Sequence, residues 1–215
     1  RVRDLPFAKT NGKTIINSDD ILSLTKVPKS LCVIGGGVVG TEFASLYGRF
    51  GSQVTIVEMA PQILPSEDAD SVKELVRQLK KQNIAVETGT KLTAIEDKGD
   101  HALVTTEGQK PRAFDVVLVS IGRAPVTEDI GLETAGIKTD RGFINVDSHY
   151  RTSADWVFAI GDVIPTPALA HTASAEGVHA VEVIAGHKPP VIDYQANPNA
   201  IYTSPEVASI GRTEH

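Results

Sequence analysis

A glycine pattern placed directly after an apolar run restricts this chain more than any other feature of its sequence. Residues 31–34 read Leu-Cys-Val-Ile, and the spacing G-x-G-x-x-G then falls on Gly35, Gly37 and Gly40 before a helix-like segment, 41–50. In such a unit the first glycine allows a tight turn, the second lets a pyrophosphate approach the backbone, and the third lets the helix pack on the sheet. The free N–H groups of the helix start also attract phosphate. The pattern predicts a dinucleotide site; the alternative is a glycine-rich turn that binds nothing.

A carboxylate ends the next predicted strand. Residues 54–57 read Val-Thr-Ile-Val, and Glu58 follows them. An acidic residue about 20 positions after the glycines can accept hydrogen bonds from the ribose 2′-OH of an adenosine. None of residues 59–62 is basic, so a 2′-phosphate would meet Glu58 without a nearby cation. The sequence therefore favours NAD over NADP, and the alternative is that Glu58 is a solvated residue at a strand end.

Strands and helices continue to alternate after Glu58. A helix is predicted from Pro65-Ser66 to Asn83, and a third strand over residues 84–88. The apolar stripe of that helix has helical spacing and consists of Val72, Leu75, Val76 and Leu79. The order β-α-β-α-β predicts a Rossmann-like α/β fold with a parallel sheet.

Turn residues then separate two alternating runs, 91–96 and 101–106, which predicts a β-hairpin. The crossover to the next parallel strand, predicted over 114–121, is thus a β-meander instead of a helix. Gly122 and Arg123 follow that strand and are expected at the same crevice as the glycine turn, because ligands bind at the carboxyl ends of parallel strands. Arg123 is equally compatible with a surface ion pair.

A second predicted strand with a functional end lies over residues 156–160. It leads into Gly161 and Asp162, and a long helix is predicted over 169–185. Asp162 can bind a sugar or ribityl hydroxyl there, and the helix start can hold a partly anionic ring carbonyl. The alternative is that Asp162 is only a turn residue.

Composition narrows the class of protein. The 215 residues carry a formal net charge of −6 and have no cluster of Lys and Arg, which argues against a nucleic-acid surface. No apolar run approaches the roughly 20 residues of a membrane span, and no signal peptide or lipidation motif is recognisable. The single cysteine, Cys32, is expected to be a buried small hydrophobe, in keeping with a reducing, cytoplasmic location. Because the chain starts without Met and ends as a new segment begins, we expect a fragment of a longer protein.

Four segments, in this order, resemble the flavoprotein disulfide reductases, the pyridine nucleotide-disulfide oxidoreductases, over about residues 5–214. Residues 35–42 resemble the NAD motif with its trailing glutamate, and 120–125 the segment beneath the nicotinamide side. Residues 152–162 resemble the second FAD motif. Residues 168–171, together with 202–208, favour the lipoamide branch of the family over the glutathione and mercuric reductases.

The resemblance implies roles for individual residues. NAD would be bound by Gly35, Gly36, Gly37, Val38, Val39, Gly40, Thr41, Glu42, Glu58, Leu92, Gly122 and Arg123. FAD would be bound by Gly161, Asp162, Ala168, Leu169, Ala170 and His171. In this scheme Glu42 faces the nicotinamide amide, Leu92 lines the adenine side, and His171 packs beside the flavin and does not act as a base.

The resemblance also implies a domain plan. Residues 1–17 would end a first FAD segment, 18–145 form the NAD-binding domain, 146–194 the second FAD segment, and 195–215 the start of a dimer-interface domain. The family's first FAD motif, its redox-active cysteine pair and its C-terminal His-Glu pair have no counterpart in this sequence. We therefore expect no catalytic residue, no metal site and no lipoamide activity in these 215 residues alone.

Partners and alternatives follow from the same resemblance. The parent protein would be a homodimer that serves the lipoyl domains of 2-oxo acid dehydrogenase or glycine-cleavage complexes. Two other interpretations stay open. One is another NAD-linked flavoprotein reductase, such as a transhydrogenase or a mercuric or glutathione reductase relative. The other is a nucleotide-binding module without catalysis.

Overall fold

The glycine pattern follows the middle strand of a parallel sheet in the computed structural model, which describes residues 1–213. The strands of this part of the chain are β1 (Ile15–Ile16), β2 (Ser30–Ile34), β3 (Gln53–Val57), β4 (Ile84–Glu87), β5 (Leu92–Asp97), β6 (Ala102–Thr106), β7 (Arg112–Phe114) and β8 (Val116–Val119). Five of them pair in the order β1-β8-β2-β3-β4, and all four pairings are parallel. The predicted Rossmann-like α/β fold is confirmed.

Two helices connect the first strands of the sheet. Helix α1 (Val38–Arg49) begins within the glycine pattern, three residues before the predicted start at Thr41. Helix α2 (Ala69–Lys81) begins later than predicted from Pro65-Ser66, because Asp68 is its N-cap and accepts a hydrogen bond from the backbone N–H of Asp70 at 2.9 Å. In the predicted stripe of α2, Val72, Leu75 and Leu79 are buried and Val76 is half-buried.

The predicted meander is present as a separate antiparallel sheet, β5-β6-β7. The parallel strand predicted over 114–121 is present as β8 but covers only 116–119, and its start is later because the chain changes sheets at Asp115. There the carboxylate of Asp115 accepts from the N–H of Ser30 at 3.0 Å, and the N–H of Asp115 donates to the hydroxyl of Ser30 at 2.9 Å. Phe114 thus ends the meander, and β8 pairs with β2.

The parallel sheet is buried on both faces, as expected where elements cover each side. Leu31 and Val33 of β2 pack in one cluster with residues of α1 and α2. Cys32 and Ile34 point to the opposite cluster, which contains Ile95 and other residues of the meander. The predicted burial of Cys32 is confirmed, and this burial raises the pKa of its thiol to about 12.

A second body of structure contains β9 (Thr139–Asp140), β10 (Phe143–Ile144) and helix α3 (Ala170–Ile184). Helix α3 confirms the prediction for 169–185, with Leu169 and Ala185 as its caps. The predicted strand 156–160 is wrong. Its backbone folds back on the preceding turn, with one isolated bridge between Arg151 and Phe158, and Trp156 is 79% exposed.

The last described segment forms a hairpin of β11 (Asn199–Ile201) and β12 (Val207–Ser209). Ile201 and Val207 pack in the cluster formed by α1, α2 and the sheet. Two bonds to α1 add to this packing: Tyr202 N–H donates to Glu42 at 2.8 Å, and Ser204 N–H donates to the Ser45 hydroxyl at 3.0 Å.

Contacts divide the described chain into two units. The sheet unit comprises residues 2–123 and 198–213, and the second unit comprises Arg1 and residues 124–197. The predicted domain boundaries at 17, 145 and 194 stay predictions, and residues 214–215 of the predicted interface segment lie outside the described residues. Among residues 1–213, no helix has the length and apolar character needed to cross a membrane.

Candidate nucleotide-binding site

A cavity of about 580 Å³ opens in the sheet unit where β2, β3 and β8 end. It is lined by Leu5, Phe7, Ile34, Gly35, Gly37, Val57, Glu58, Met59, Pro65, Thr90, Lys91, Leu92, Ser120, Ile121 and Gly122. The carboxyl ends of parallel strands are where doubly wound sheets bind ligands, and this volume is typical of a small-molecule pocket. The sequence predicted a crevice at this edge, and side chains do not fill it.

The three glycines of the pattern have distinct surroundings. Gly35 has φ +107°, and a Cβ there would collide with the carbonyl oxygen of Ser120. A Cβ at Gly40 would collide with the carbonyl oxygen of Gly35, so this position sets the close packing of α1. A Cβ at Gly37 would meet no atom within 4 Å. Gly37 therefore leaves open space at the N-cap of α1, where the predicted pyrophosphate needs to approach.

Glu58 lies on the wall of the cavity and is already hydrogen-bonded. One carboxylate oxygen accepts from Gly36 N–H at 2.6 Å, and the other accepts from Ala60 N–H at 2.6 Å. These bonds join the end of β3 to the glycine turn and fix the carboxylate. Each carboxylate oxygen has a second lone pair, so Glu58 can also accept from a ligand hydroxyl.

Glu42 of α1 is hydrogen-bonded to the hairpin formed by β11 and β12. It does not line the cavity, and its carboxylate accepts from Tyr202 N–H at 2.8 Å. Thr41 is buried and donates its hydroxyl to the carbonyl of Gly36 at 3.1 Å, which stabilises the glycine turn. The predicted contact of Glu42 with the nicotinamide amide stays a prediction.

The remaining predicted NAD residues divide between two neighbouring cavities. Leu92 and Gly122 line the larger one. Val38, Val39 and Arg123 line a smaller cavity of about 130 Å³, which shares Gly37 and Gly122 with the larger one. The guanidinium of Arg123 also lies 3.5 Å from the carboxylate of Asp19, so the ion-pair alternative is present together with the site placement.

Sequence reasoning missed one charged residue of the cavity, Lys91. Two backbone bonds bring its segment to the end of β3: Gly89 N–H donates to Ala60 O at 2.8 Å, and Thr90 N–H to Glu58 O at 2.9 Å. Lys91 lies shortly after the end of β4. The rule that ligands bind at the carboxyl ends of parallel strands could therefore have identified it from the sequence. Residues 59–62, which adjoin Glu58 in the sequence, contain no cation, and Lys91 lies far beyond them in the chain.

The predicted FAD residues all lie in the second unit. Gly161 is buried with φ +69°, and Asp162 is exposed in the short 3-10 turn Gly161–Val163. Ala168, Ala170 and His171 are exposed, and Leu169 is half-buried, around the start of α3. Leu169 offers no side-chain cap to the helix. The predicted contact of this helix start with a flavin ring carbonyl stays a prediction.

Comparisons with known proteins agree with this geometry. The family described as pyridine nucleotide-disulphide oxidoreductase matches residues 2–177. The mitochondrial dihydrolipoyl dehydrogenase of Pisum sativum is 43% identical over 219 residues, covering 99% of this chain and 44% of the relative. The leghemoglobin reductase of Glycine max is 43% identical, covering 99% and 42%.

A solved structure supports the same relationship. LpdA from Mycobacterium tuberculosis superposes with a TM-score of 0.92 at 30% identity, covering 99% of this chain and 46% of that one. The chain spans less than half the length of the curated relatives just described. The glycine turn at the end of a parallel strand, the match over residues 2–177 and the agreement of the backbone have one explanation: the chain belongs to the pyridine nucleotide-disulphide oxidoreductase family.

Proposed function

We propose that the sheet unit binds NAD across its glycine turn and that the chain is part of a dihydrolipoamide dehydrogenase. That enzyme reoxidises dihydrolipoamide and passes electrons through a disulfide and a flavin to NAD⁺. The observation that carries the proposal is the open cavity at the strand ends, which is lined by both Gly37 and Glu58. Membership of the family accounts for the use of flavin and a pyridine nucleotide.

The residues of the cavity fit an adenine dinucleotide. The backbone at Gly35 and Gly37 would hold the pyrophosphate, since the helix start presents N–H groups and partial positive charge. Glu58 would accept from the hydroxyls of the adenosine ribose, Leu92 would pack on the adenine, and Gly122 would approach by its backbone. The bound nicotinamide supplies hydride transfer, and the protein orients the ring.

The second unit would provide half of a flavin cradle. Asp162 would accept from the ribityl chain, and the N–H groups of residues 168–171 would contact the flavin ring. His171 would pack beside the ring, because a histidine at a helix start is more often structural than a base. We carry the domain plan as part of this proposal: FAD segments at 1–17 and 146–194, NAD-binding domain at 18–145 and interface segment at 195–215.

Partners and location are part of the same proposal. The parent enzyme would be a homodimer in the cytoplasm and would meet lipoyl domains of 2-oxo acid dehydrogenase or glycine-cleavage complexes. The 215 residues alone lack the redox disulfide, so we expect them to show no lipoamide activity. We also expect the purified chain to hold no flavin, and a visible flavin absorbance band would contradict this.

A fluorescence titration of the purified chain tests the nucleotide assignment. We expect saturable binding of NADH, seen as a rise in nicotinamide emission, and tighter binding than for NADPH because Glu58 repels a 2′-phosphate. Gly37→Val should abolish binding by filling the open space at the turn. The absence of saturation with NADH would contradict the proposal.

A second candidate function is a flavoprotein reductase with a different substrate. It is favoured by the match to leghemoglobin reductase, which has the same 43% identity as the dihydrolipoyl dehydrogenase of Pisum sativum. Reduction of NAD⁺ by dihydrolipoamide in the longer native protein would select the first function. A native protein that binds NADH but lacks both flavin and this activity would favour a nucleotide-binding module.

A further inference from the structure

A buried glutamate in the second unit has no place in the function proposed above. Glu176 of α3 is 0% exposed. One of its carboxylate oxygens accepts from the N–H of Gly161 at 2.6 Å, and the other accepts from the hydroxyl of Tyr194 at 2.8 Å. Charged residues are seldom fully buried unless they are paired, yet none of the ion pairs within residues 1–213 includes Glu176. Its carboxylate is held by neutral donors.

We infer that Glu176 is a positioning residue: from α3 it fixes the turn at Gly161 and thereby presents the next residue, Asp162, to a ribityl hydroxyl of the flavin. The flavin part of this inference rests on the proposed function. The fixing of the turn rests on the hydrogen bonds alone.

The backbone at Gly161 shows why such a brace is useful. Gly161 has φ +69°, a conformation that glycine adopts without strain but does not strongly prefer over others. The hydrogen bond from its N–H fixes the peptide plane that enters the turn, and Asp162 follows at once in the turn Gly161–Val163. Asp162 is exposed, so the orientation of its side chain depends on the backbone conformation of the turn.

Two tyrosine hydroxyls form a hydrogen-bonded chain to the Glu176 carboxylate. The hydroxyls of Tyr150 and Tyr194 lie 2.9 Å apart, and since Tyr194 donates to Glu176, its oxygen accepts from Tyr150. Burial, together with the Glu176 carboxylate, raises the pKa of both phenols above the usual range. Both therefore stay protonated at neutral pH, and donation runs from Tyr150 to Tyr194 to Glu176. A buried carboxylate with satisfied acceptors is rigid, which suits a positioning role.

Amide NMR on the 215-residue chain tests the inference without any cofactor. In the unsubstituted chain we expect the Gly161 amide proton to resonate downfield and to exchange slowly, because a charge-assisted bond of this length is strong. Glu176→Ala should move that resonance upfield, speed its exchange by at least about tenfold and shift Asp162. Glu176→Gln should restore the Gly161 signal in part, to a position between the other two chains, since the neutral amide oxygen still accepts from its N–H but more weakly.

Controls separate positioning from general damage. Glu182→Ala makes the same change on the same helix at a half-buried residue and should leave Gly161 unchanged. Tyr194→Phe keeps the acceptor for Gly161 and should shift it less than Glu176→Ala. Helical circular dichroism reports whether α3 is still folded.

A folded Glu176→Ala chain with an unchanged Gly161 amide would overturn the inference, as would failure of Glu176→Gln to restore the signal. Neither result depends on nucleotide or flavin binding, so each is distinguishable from a failure of the proposed function.

Discussion

The carboxylate of Glu58 has an observed structural role and a proposed role in nucleotide binding. Its bonds to the N–H groups of Gly36 and Ala60 are structural, and its position on the cavity wall makes it the candidate ribose ligand. A substitution at this residue therefore changes both the turn and the nucleotide preference. Glutamine removes the charge but keeps only one acceptor oxygen, so its NH2 group would face one of the two backbone N–H donors. Urea denaturation of each variant therefore has to accompany the nucleotide titration, so that loss of the turn is distinguished from a change in nucleotide preference.

We expect Glu58→Gln to reduce the preference for NADH over NADPH and Glu58→Arg to reverse it. Hydrogen bonds to charged groups contribute about 1.5–3 kcal/mol, which corresponds to about 10–150-fold in NADH affinity. The measurement is the ratio of the two dissociation constants by fluorescence titration. Glu206→Arg, at an exposed position outside the cavity lining, is the matched control, and equal affinities in the unsubstituted chain would count against the role of Glu58.

Lys91 is the cation that the sequence reasoning overlooked at the same cavity. It lies on the lining, and its ammonium is 4.0 Å from the exposed carboxylate of Glu107. A cation at this end would partly offset the repulsion between Glu58 and a 2′-phosphate.

Lys91→Ala should therefore weaken NADPH binding about 2–5-fold and change NADH binding less, since an exposed charge pair contributes about 0–1 kcal/mol. Lys98→Ala, on the exposed hairpin turn, is the control. The role of Lys91 is refuted if the ratio of NADPH to NADH affinity is the same in both variants.

At the scale of elements, the turn from β2 into α1 has one glycine for ligand access and another for packing. We expect Gly37→Ala to fold normally, because its Cβ meets no atom within 4 Å, but to lose NADH affinity as the methyl group occupies the approach of the pyrophosphate. Gly40→Ala should destabilise the sheet unit by about 1–3 kcal/mol, the usual cost of overpacking, because its Cβ would collide with the backbone at Gly35.

Urea denaturation and NADH titration of both variants check this pair. A Gly37→Ala chain that binds as tightly as the unsubstituted chain would show that the pyrophosphate does not lie there. A fully stable Gly40→Ala chain would contradict the packing role.

The sequence predicted the elements whose patterns are long and local. Apolar periodicity and turn residues predict six of these elements: β2, β3, β4, α1, α2 and α3. β1 was missed because it has two residues, Ile15 and Ile16, and exists only by pairing with β8. The break at Asp115 was missed because its cause is Ser30, far away in the chain.

The same limit applies to the candidate site. Gly35, Gly37 and Glu58 could be found because the residues around the first crossover are contiguous in the sequence. Lys91 could not be found from its neighbours, because backbone bonds from Gly89 and Thr90 bring it to the cavity. The apolar residues at 156–160 have the composition of a strand, but backbone N–H groups of this segment donate to the preceding turn. Sequence periodicity does not predict such pairing.

At the scale of the whole chain, several carboxylates are more acidic in the folded protein than in an unfolded one. Hydrogen bonds from Gly99 N–H and the Thr14 hydroxyl lower the pKa of Asp97, and bonds from Arg77 and Gln78 lower that of Glu74 to about 2. Asp97 matters more for the fold, because it joins β5 to the segment that leads into β1.

A depressed pKa in the folded state means that the unfolded chain binds more protons at low pH. The free energy of unfolding therefore decreases as the pH is lowered. The stabilisation is complete above the ordinary carboxyl pKa values of 3.8 and 4.5 and disappears as the pH falls towards about 2. We expect the urea midpoint to be constant from about pH 7 to pH 5 and to decrease below that.

Asp97→Asn should lower the midpoint at neutral pH and flatten the decrease, since the amide cannot be protonated in this range. The control is Glu96→Gln, on the same strand with an exposed ion pair to Lys98. Its midpoint should decrease more steeply at low pH than that of Asp97→Asn. An Asp97→Asn chain with the same pH dependence as the unsubstituted one would show that this carboxylate does not link the fold to pH.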